Sequence, residues 1–176
     1  METRGLIHIY CGEGKGKTTA ATGLAIRAAG SGMQVLFARF LKNDQSSELR
    51  ILQNISEIHL LHPSRTYGFY RTLGNCERAE LRNVYEQYWQ QIKAEVDSGN
   101  YQMLILDEIM AVCKYNIIST KEVYQFLQRK PDRLEVVLTG RGPEESLLEL
   151  ADYVSEIRRR KHPYEKGISA RKGIEW

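Results

Sequence analysis

Six apolar runs of strand length set the tightest limit on what this chain can become. They are "GLIHIY" (5–10), "QVLFARF" (34–40), "EIHLL" (57–61), "QMLILD" (102–107), "LEVVLTG" (134–140) and "YVSEI" (153–157). Their hydrophobicity is continuous rather than alternating, which marks strands covered on both faces, as the strands of parallel sheets are. The stretches between them read as helices. Residues 17–29 are rich in alanine and end at "GSG", and a long charged stretch runs from about Cys76 to Asp97. "STKE" at 119–122 has capping-box spacing, and Pro143 followed by Glu144 and Glu145 opens a further helix. The expectation is an α/β fold: a doubly wound, mainly parallel sheet with helices on both faces and ligands at the carboxyl ends of its strands. From His62 to Asn75, "HPSRTYGFYRTLGN" has the composition of a long loop, yet it carries three aromatics within four positions. Loops of that length in compact domains are usually functional or mobile.

At 176 residues the chain suits one domain, 1–176, with one site. No apolar run approaches the roughly 18 residues a membrane helix needs. The amino terminus runs straight into the first strand and leaves no room for a leader, so a cytoplasmic setting is expected. Cys11, Cys76 and Cys113 are far apart and form neither a disulfide framework nor a zinc pattern. A net charge of +3 is too mild to argue for nucleic acid. The basic clusters "RRRKH" (158–162) and "ARK" (170–172) read as solvated faces unless the fold brings that end near phosphates.

The chemistry concentrates in "CGEGKGKTT", residues 11–19, which follows a strand and precedes a helix. That context makes a glycine-rich phosphate loop credible. The common spacing would place a glycine at position 11, where Cys11 stands, and only three residues separate Gly12 from Gly16. The ATP-binding set expected here is Gly12, Glu13, Gly14, Lys15, Gly16, Lys17, Thr18 and Thr19. Backbone N–H groups and the helix end ring a polyphosphate, Lys17 adds a full charge, and Thr18 offers a hydroxyl to Mg²⁺. The bland alternative is a tight strand-to-helix turn without a ligand.

"LILDE" puts Asp107 and Glu108 at the end of a strand expected to lie beside the first one. Such a pair can hold Mg²⁺ directly or through water, and acids are also favoured in a helix's first turn. Beside a phosphate loop the metal set is Thr18, Asp107 and Glu108. "TGRG" (139–142) ends another strand, from which Arg141 can reach phosphate or simply occupy a glycine turn. Arg27 reads as a charge on a helix face. No histidine has ligand spacing, and no Ser/His/Asp arrangement is present.

Taken in order, "GEGKGKTTAATGLAIRAAG", "LILDEI", "VVLTGRGP", "LLELADYVSEIR" and "KHPYEKGISARKGIEW" resemble the P-loop class of ATP:cob(I)alamin (corrinoid) adenosyltransferases. The resemblance spans most of the chain and includes the short glycine loop and the terminal signature. It is weakest from about 42 to 95, where corrinoid contacts are expected, and some members carry an extension before the first strand that this sequence does not show.

The resemblance implies a P-loop NTPase-like fold in which Co(I) of a reduced corrinoid attacks the 5′ carbon of ATP and intact triphosphate leaves. ATP lies with its phosphate chain reversed relative to most P-loop enzymes. It further implies catalytic roles for Lys17, Thr18 and Glu108, with Glu108 a metal ligand rather than a base. Arg27 matches a nucleotide-contacting arginine. A pair of aromatics would displace cobalt's lower ligand and exclude water, and Tyr67, Phe69 and Tyr70 are the corrinoid-binding candidates. Mg²⁺ as cofactor, a homodimer, and an electron donor such as a reduced flavodoxin or a flavin reductase complete the picture. The rivals are a P-loop kinase or ATPase that cleaves ATP at a phosphate, and a nucleotide-gated binding module with a basic tail.

Overall fold

A computed structural model describes residues 4–42, 46–68 and 70–175. Its centre is a six-stranded sheet, parallel throughout, in the order β3-β2-β4-β5-β1-β6. The strands are β1 (Ile7–Cys11), β2 (Val35–Arg39), β3 (Ile58–Leu61), β4 (Met103–Asp107), β5 (Glu135–Thr139) and β6 (Tyr153–Glu156). All six coincide with the apolar runs.

Both faces of the sheet are covered over the central strands, which is why their runs are continuous; β6 departs from the expectation, being an edge strand exposed at all four of its positions. Along β2, Val35 and Phe37 join one apolar cluster while Leu36 and Ala38 join the other, and β4 divides in the same way. On the first face lies α1 (Lys17–Gly30), whose Ala21, Ala25, Ala28 and Ala29 pack against Val35, Phe37, Ile105 and Val137. Small side chains at helical spacing allow the helix a close approach to the sheet. On the second face, α3 (Asn75–Asp97) contributes Leu81, Tyr85, Trp89 and Ile92, a stripe at i, i+4, i+8 and i+11. Fully burying one such large side chain is worth about 1.5–3 kcal/mol, so this stripe carries much of the helix's docking energy.

The shorter helices are α2 (Leu49–Leu52), α4 (Ile109–Lys114), α5 (Thr120–Arg129) and α6 (Glu145–Leu150). At α5 the expected cap is present: the Glu122 N–H donates to Ser119 Oγ at 3.2 Å. The sequence pattern gave no warning of α2, and α4 was signalled only by the helix start that the acids at 107 and 108 also allow; the two are four and six residues long and too short to show a period. Among the described residues of the stretch 62–75 there is one 3-10 turn, Tyr70–Thr72.

One expectation is corrected. β4 does not lie beside β1, because β5 pairs with both and stands between them. The acidic end of β4 therefore reaches the glycine loop across the end of β5, and Thr139 at that end becomes part of the connection.

Candidate functional site

β1 delivers the chain into the glycine loop, and α1 starts at Lys17 with Gly16 as its cap at φ 122°. That φ lies in a region that side chains avoid, so glycine is required there. A Cβ on Gly14 would stand 2.6 Å from the Ile157 carbonyl oxygen, which accepts the Gly14 N–H at 2.7 Å. The loop is thus clamped against the segment after β6, and the Gly14 amide serves that clamp rather than facing a ligand. α1 has no side-chain cap and no acid in its first turn. Its orphan amides and the positive end of its dipole are left to an anion.

Lys17 is buried, at 7% exposure, and its ammonium donates to the Gly12 and Gly14 carbonyl oxygens at 2.8 Å each. Burial pushes its pKa down, while the carboxylate of Glu108 opposes the shift and Arg141 adds to it. Lys17 therefore lies within the electrostatic reach of both expected partners. Arg141 also pairs with Glu13 of the loop at 3.0 Å, an exposed contact.

Asp107 is fully buried and is the hub of the acidic end. Its Oδ1 accepts from the Thr18 hydroxyl at 2.9 Å and from the Thr139 hydroxyl at 2.7 Å. Thr139 in turn accepts the Glu108 N–H at 2.9 Å. Glu108 caps α4 in the left-handed conformation, φ 66°, which is uncommon for a side-chain-bearing residue and costs about 1–2 kcal/mol.

Sequence reasoning missed Lys42. Its ammonium donates to Asp107 Oδ2 and to Thr18 Oγ1, both at 2.6 Å. Nothing in its local pattern sets Lys42 apart from any other lysine after a strand. Its position depends on α3: Tyr85 Oη accepts the Leu41 N–H at 2.8 Å, and Tyr88 Oη accepts the Arg39 N–H at 3.0 Å. Leu41 itself sits at φ 49°.

Among the described residues no group of three or more His, Cys, Asp or Glu side chains stands ready to hold a metal. Mg²⁺ does not need one, since it usually keeps several waters and binds one or two carboxylates together with substrate phosphates. The Thr18 hydroxyl, Asp107 and Glu108 fit that habit. The ammonium bridging the first two shows that a cation is favoured between them.

A cavity of about 870 Å³ opens beside the start of α1. Thr18, Thr22 and Lys42 line it together with Ala170 and Ile174 of the carboxyl-terminal segment. Gly14, Lys15 and the cluster Arg158–Lys161 line a neighbouring cavity of about 390 Å³. The basic tail is therefore not a remote solvated face but lies against the loop.

Arg27 is exposed near the far end of α1, ten residues beyond Lys17 and so roughly 15 Å along the axis, and it is not brought to the loop. Tyr70 stacks on Tyr115 with ring centroids 4.3 Å apart, and the Arg78 guanidinium lies 5.1 Å from the Tyr70 ring. Tyr67 carries the Arg65 guanidinium 5.1 Å from its ring. Both tyrosines pack on the core from the α3 side, so they act at least as anchors for their loop. Phe69 lies outside the described residues.

The profile of the family described as ATP:corrinoid adenosyltransferase BtuR/CobO/CobP matches residues 3–176. The corrinoid adenosyltransferase of Escherichia coli (strain K12) is 34% identical over 176 residues, which are 100% of this chain and 88% of that protein. Corrinoid adenosyltransferase CobA of Salmonella typhimurium is 33% identical over 176 residues, again 100% and 88%. Among solved structures, the cytoplasmic domain of EssC aligns with a TM-score of 0.56 at 15% identity, over 96% of this chain and 34% of that one, a likeness of fold alone. With the glycine loop, the acidic strand end and the terminal signature all inside one full-length match, the chain belongs to the ATP:corrinoid adenosyltransferase family.

Proposed function

We propose that this protein transfers the 5′-deoxyadenosyl group of ATP to the Co(I) centre of a reduced corrinoid, cobalamin or a precursor, forming the adenosylated corrinoid. In the step, the lone pair of Co(I) forms a bond to C5′ and the C5′–O bond breaks. Its electron pair departs with intact triphosphate, and cobalt becomes formally Co(III). The observation that carries the reading is the family match from residue 3 to residue 176.

The chemistry of the site supports it. Displacement by a nucleophile whose lone pair is already available needs no general base. Asp107, with both oxygens occupied by Thr18, Thr139 and Lys42, is unsuited to being one. What the reaction needs is neutralisation of the charge growing on the departing triphosphate. Lys17, the first-turn amides of α1 and Arg141 would serve that need. Mg²⁺ would be held by Thr18, Asp107 and Glu108, and when bound it would supply further charge neutralisation.

The remaining roles are extensions of this reading. Arg27 is a contact for the part of the nucleotide beyond the phosphates, whose chain runs reversed relative to most P-loop enzymes. Tyr67, Phe69 and Tyr70 form an apolar wall that displaces cobalt's lower ligand, because axial ligation and burial control the ease of reduction. The protein works as a cytoplasmic homodimer and receives electrons from a reduced flavodoxin or a flavin reductase. No described helix is long and apolar enough to cross a membrane.

The test is product analysis with ATP and chemically reduced cob(I)alamin. Triphosphate together with a light-sensitive cobalt–carbon product is the expected result. ADP and phosphate as the products would replace this reading with phosphoryl transfer.

A further inference from the structure

The ammonium of Lys42 stands where the reading above needs a metal ion. It is 2.6 Å from Asp107 Oδ2 and 2.6 Å from Thr18 Oγ1, and it neutralises a carboxylate that is fully buried. A buried carboxylate without such a partner is strongly disfavoured, so while no other cation is present Lys42 has reason to stay. Mg²⁺ and this ammonium cannot share the same two oxygens. Two cations would repel, and Thr18 Oγ1 has few lone pairs to offer.

The surroundings of Lys42 are built to hold its stem in place while leaving its head a second destination. Its backbone follows Leu41, which is held at φ 49° and tied through its N–H to Tyr85 Oη at 2.8 Å. The Phe40 N–H donates to the Asp107 carbonyl at 3.0 Å, locking the end of β2 to the end of β4. Non-glycine residues in the left-handed region, here Glu108 after Asp107 and Leu41 before Lys42, persist only where surrounding structure imposes them. The Lys42 side chain, though, is about one-fifth exposed and lines the 870 Å³ cavity alongside Lys15 and Thr19. A lysine stem with four rotatable bonds can turn its head from Asp107 into that cavity without moving its backbone.

We propose that Lys42 is an exchangeable cation and a positioning residue: it holds Asp107 and Thr18 in the metal's place, is displaced when Mg²⁺ enters with nucleotide, and then binds the triphosphate as a second lysine beside Lys17. The exchange keeps Asp107 neutralised in both arrangements. It also adds one positive charge to the leaving group only when the metal is in place, so nucleotide that arrives without metal meets a weaker site. This rests on reading the loop as a triphosphate cradle and does not depend on the corrinoid.

The experiment uses two probes, Mn²⁺ alone and inorganic tripolyphosphate with Mg²⁺, on the wild type, Lys42→Met and Lys42→Arg. Mn²⁺ alone, followed by electron paramagnetic resonance, is expected to bind Lys42→Met about tenfold or more tightly than wild type, because the competitor is gone. Calorimetry with tripolyphosphate, at Mg²⁺ high enough to fill the metal site of both proteins beforehand so that the competition no longer counts, is expected to show about tenfold or greater weakening in Lys42→Met, the value of one charge-assisted contact. Equal Mn²⁺ affinity in wild type and Lys42→Met, or unchanged tripolyphosphate affinity, overturns the proposal. Lys42→Arg keeps Asp107 neutralised and covers the case in which Lys42→Met fails to fold. It is expected to exclude Mn²⁺ as the wild type does, and Mn²⁺ binding to it clearly tighter than to wild type is equally fatal. Because neither probe contains an adenosyl group or cobalt, a failure of adenosyl transfer leaves these outcomes readable.

Discussion

The Thr18 hydroxyl donates to Asp107 Oδ1 at 2.9 Å across 89 positions of sequence, joining the first turn of α1 to the end of β4. Because β5 separates β4 from β1, this bond and its counterpart from Thr139 are what hold the acidic strand end against the glycine loop. In the proposed reaction, charge neutralisation of the departing triphosphate would depend on that register.

Lys17→Ala removes a buried ammonium that also ties the Gly12 and Gly14 carbonyls. Turnover is expected to fall by about 10²–10³, the usual scale for losing one preorganised charge-stabilising donor. Steady-state kinetics at saturating ATP checks it, and near-wild-type turnover would remove Lys17 from the site.

Glu108 separates stability from activity. Glu108→Gly relieves the left-handed backbone that Glu108→Ala retains, so the glycine variant is expected to be more stable than the alanine variant by about 1 kcal/mol. Both are expected to lose Mg²⁺-dependent turnover. Urea unfolding beside a Mg²⁺ titration of activity reads the two effects separately, and full activity in either variant contradicts the metal role.

Gly14→Ala places a methyl group 2.6 Å from the Ile157 carbonyl oxygen and 2.8 Å from its side chain. The loop and the segment after β6 must then part, at a cost of about 1–3 kcal/mol from overpacking. Nucleotide affinity is expected to drop with thermal stability. A variant as stable as wild type shows that the clamp is not needed.

The two tyrosines should part company. The Tyr67 hydroxyl is buried and has no hydrogen-bond partner among the described residues, so Tyr67→Phe is expected to be neutral or stabilising by up to about 1 kcal/mol. Tyr70→Leu loses the stack on Tyr115 and is expected to spare ATP binding while slowing the reaction that starts from Co(II). Rates measured from pre-reduced Co(I) are the control. An equal loss there would mean the ring does not assist reduction.

Thiol chemistry reports on the packing of α4. Burial lifts the Cys113 thiol from 9.0 to about 11, whereas Cys76 is exposed. A raised folded-state value means that this thiol's contribution to stability is whole below pH 9.0 and is lost as pH climbs through about 11. At neutral pH a thiol-specific reagent is expected to modify Cys76 first and to reach Cys113 only after denaturation. Comparable rates would show that the α4 region opens readily.

How much of this was legible in the residues differs from element to element. Apolar runs covered on both faces show themselves without any tertiary information, because burial on two sides demands hydrophobic residues at consecutive positions. The central strands were therefore readable, and β6 was found by its length and apolar start although it is exposed throughout; α1, α3, α5 and α6 were readable from composition and capping signals, as were the glycine loop and the pair Asp107 and Glu108, whose chemistry is local. Strand order was not: β5 lies between β4 and β1 because of how crossovers pack, and no short pattern records it. Lys42, Thr139 and the placement of the basic tail against the loop were decided in the same way. A lysine or a threonine becomes part of a site through what stands opposite it, and here the opposite group, Asp107, is 65 residues away from one and 32 from the other. The sequence by itself determined where a glycine loop stands between a strand and a helix and that an acidic pair ends another strand; only the folded sheet decided which cation and which hydroxyls meet the buried carboxylate.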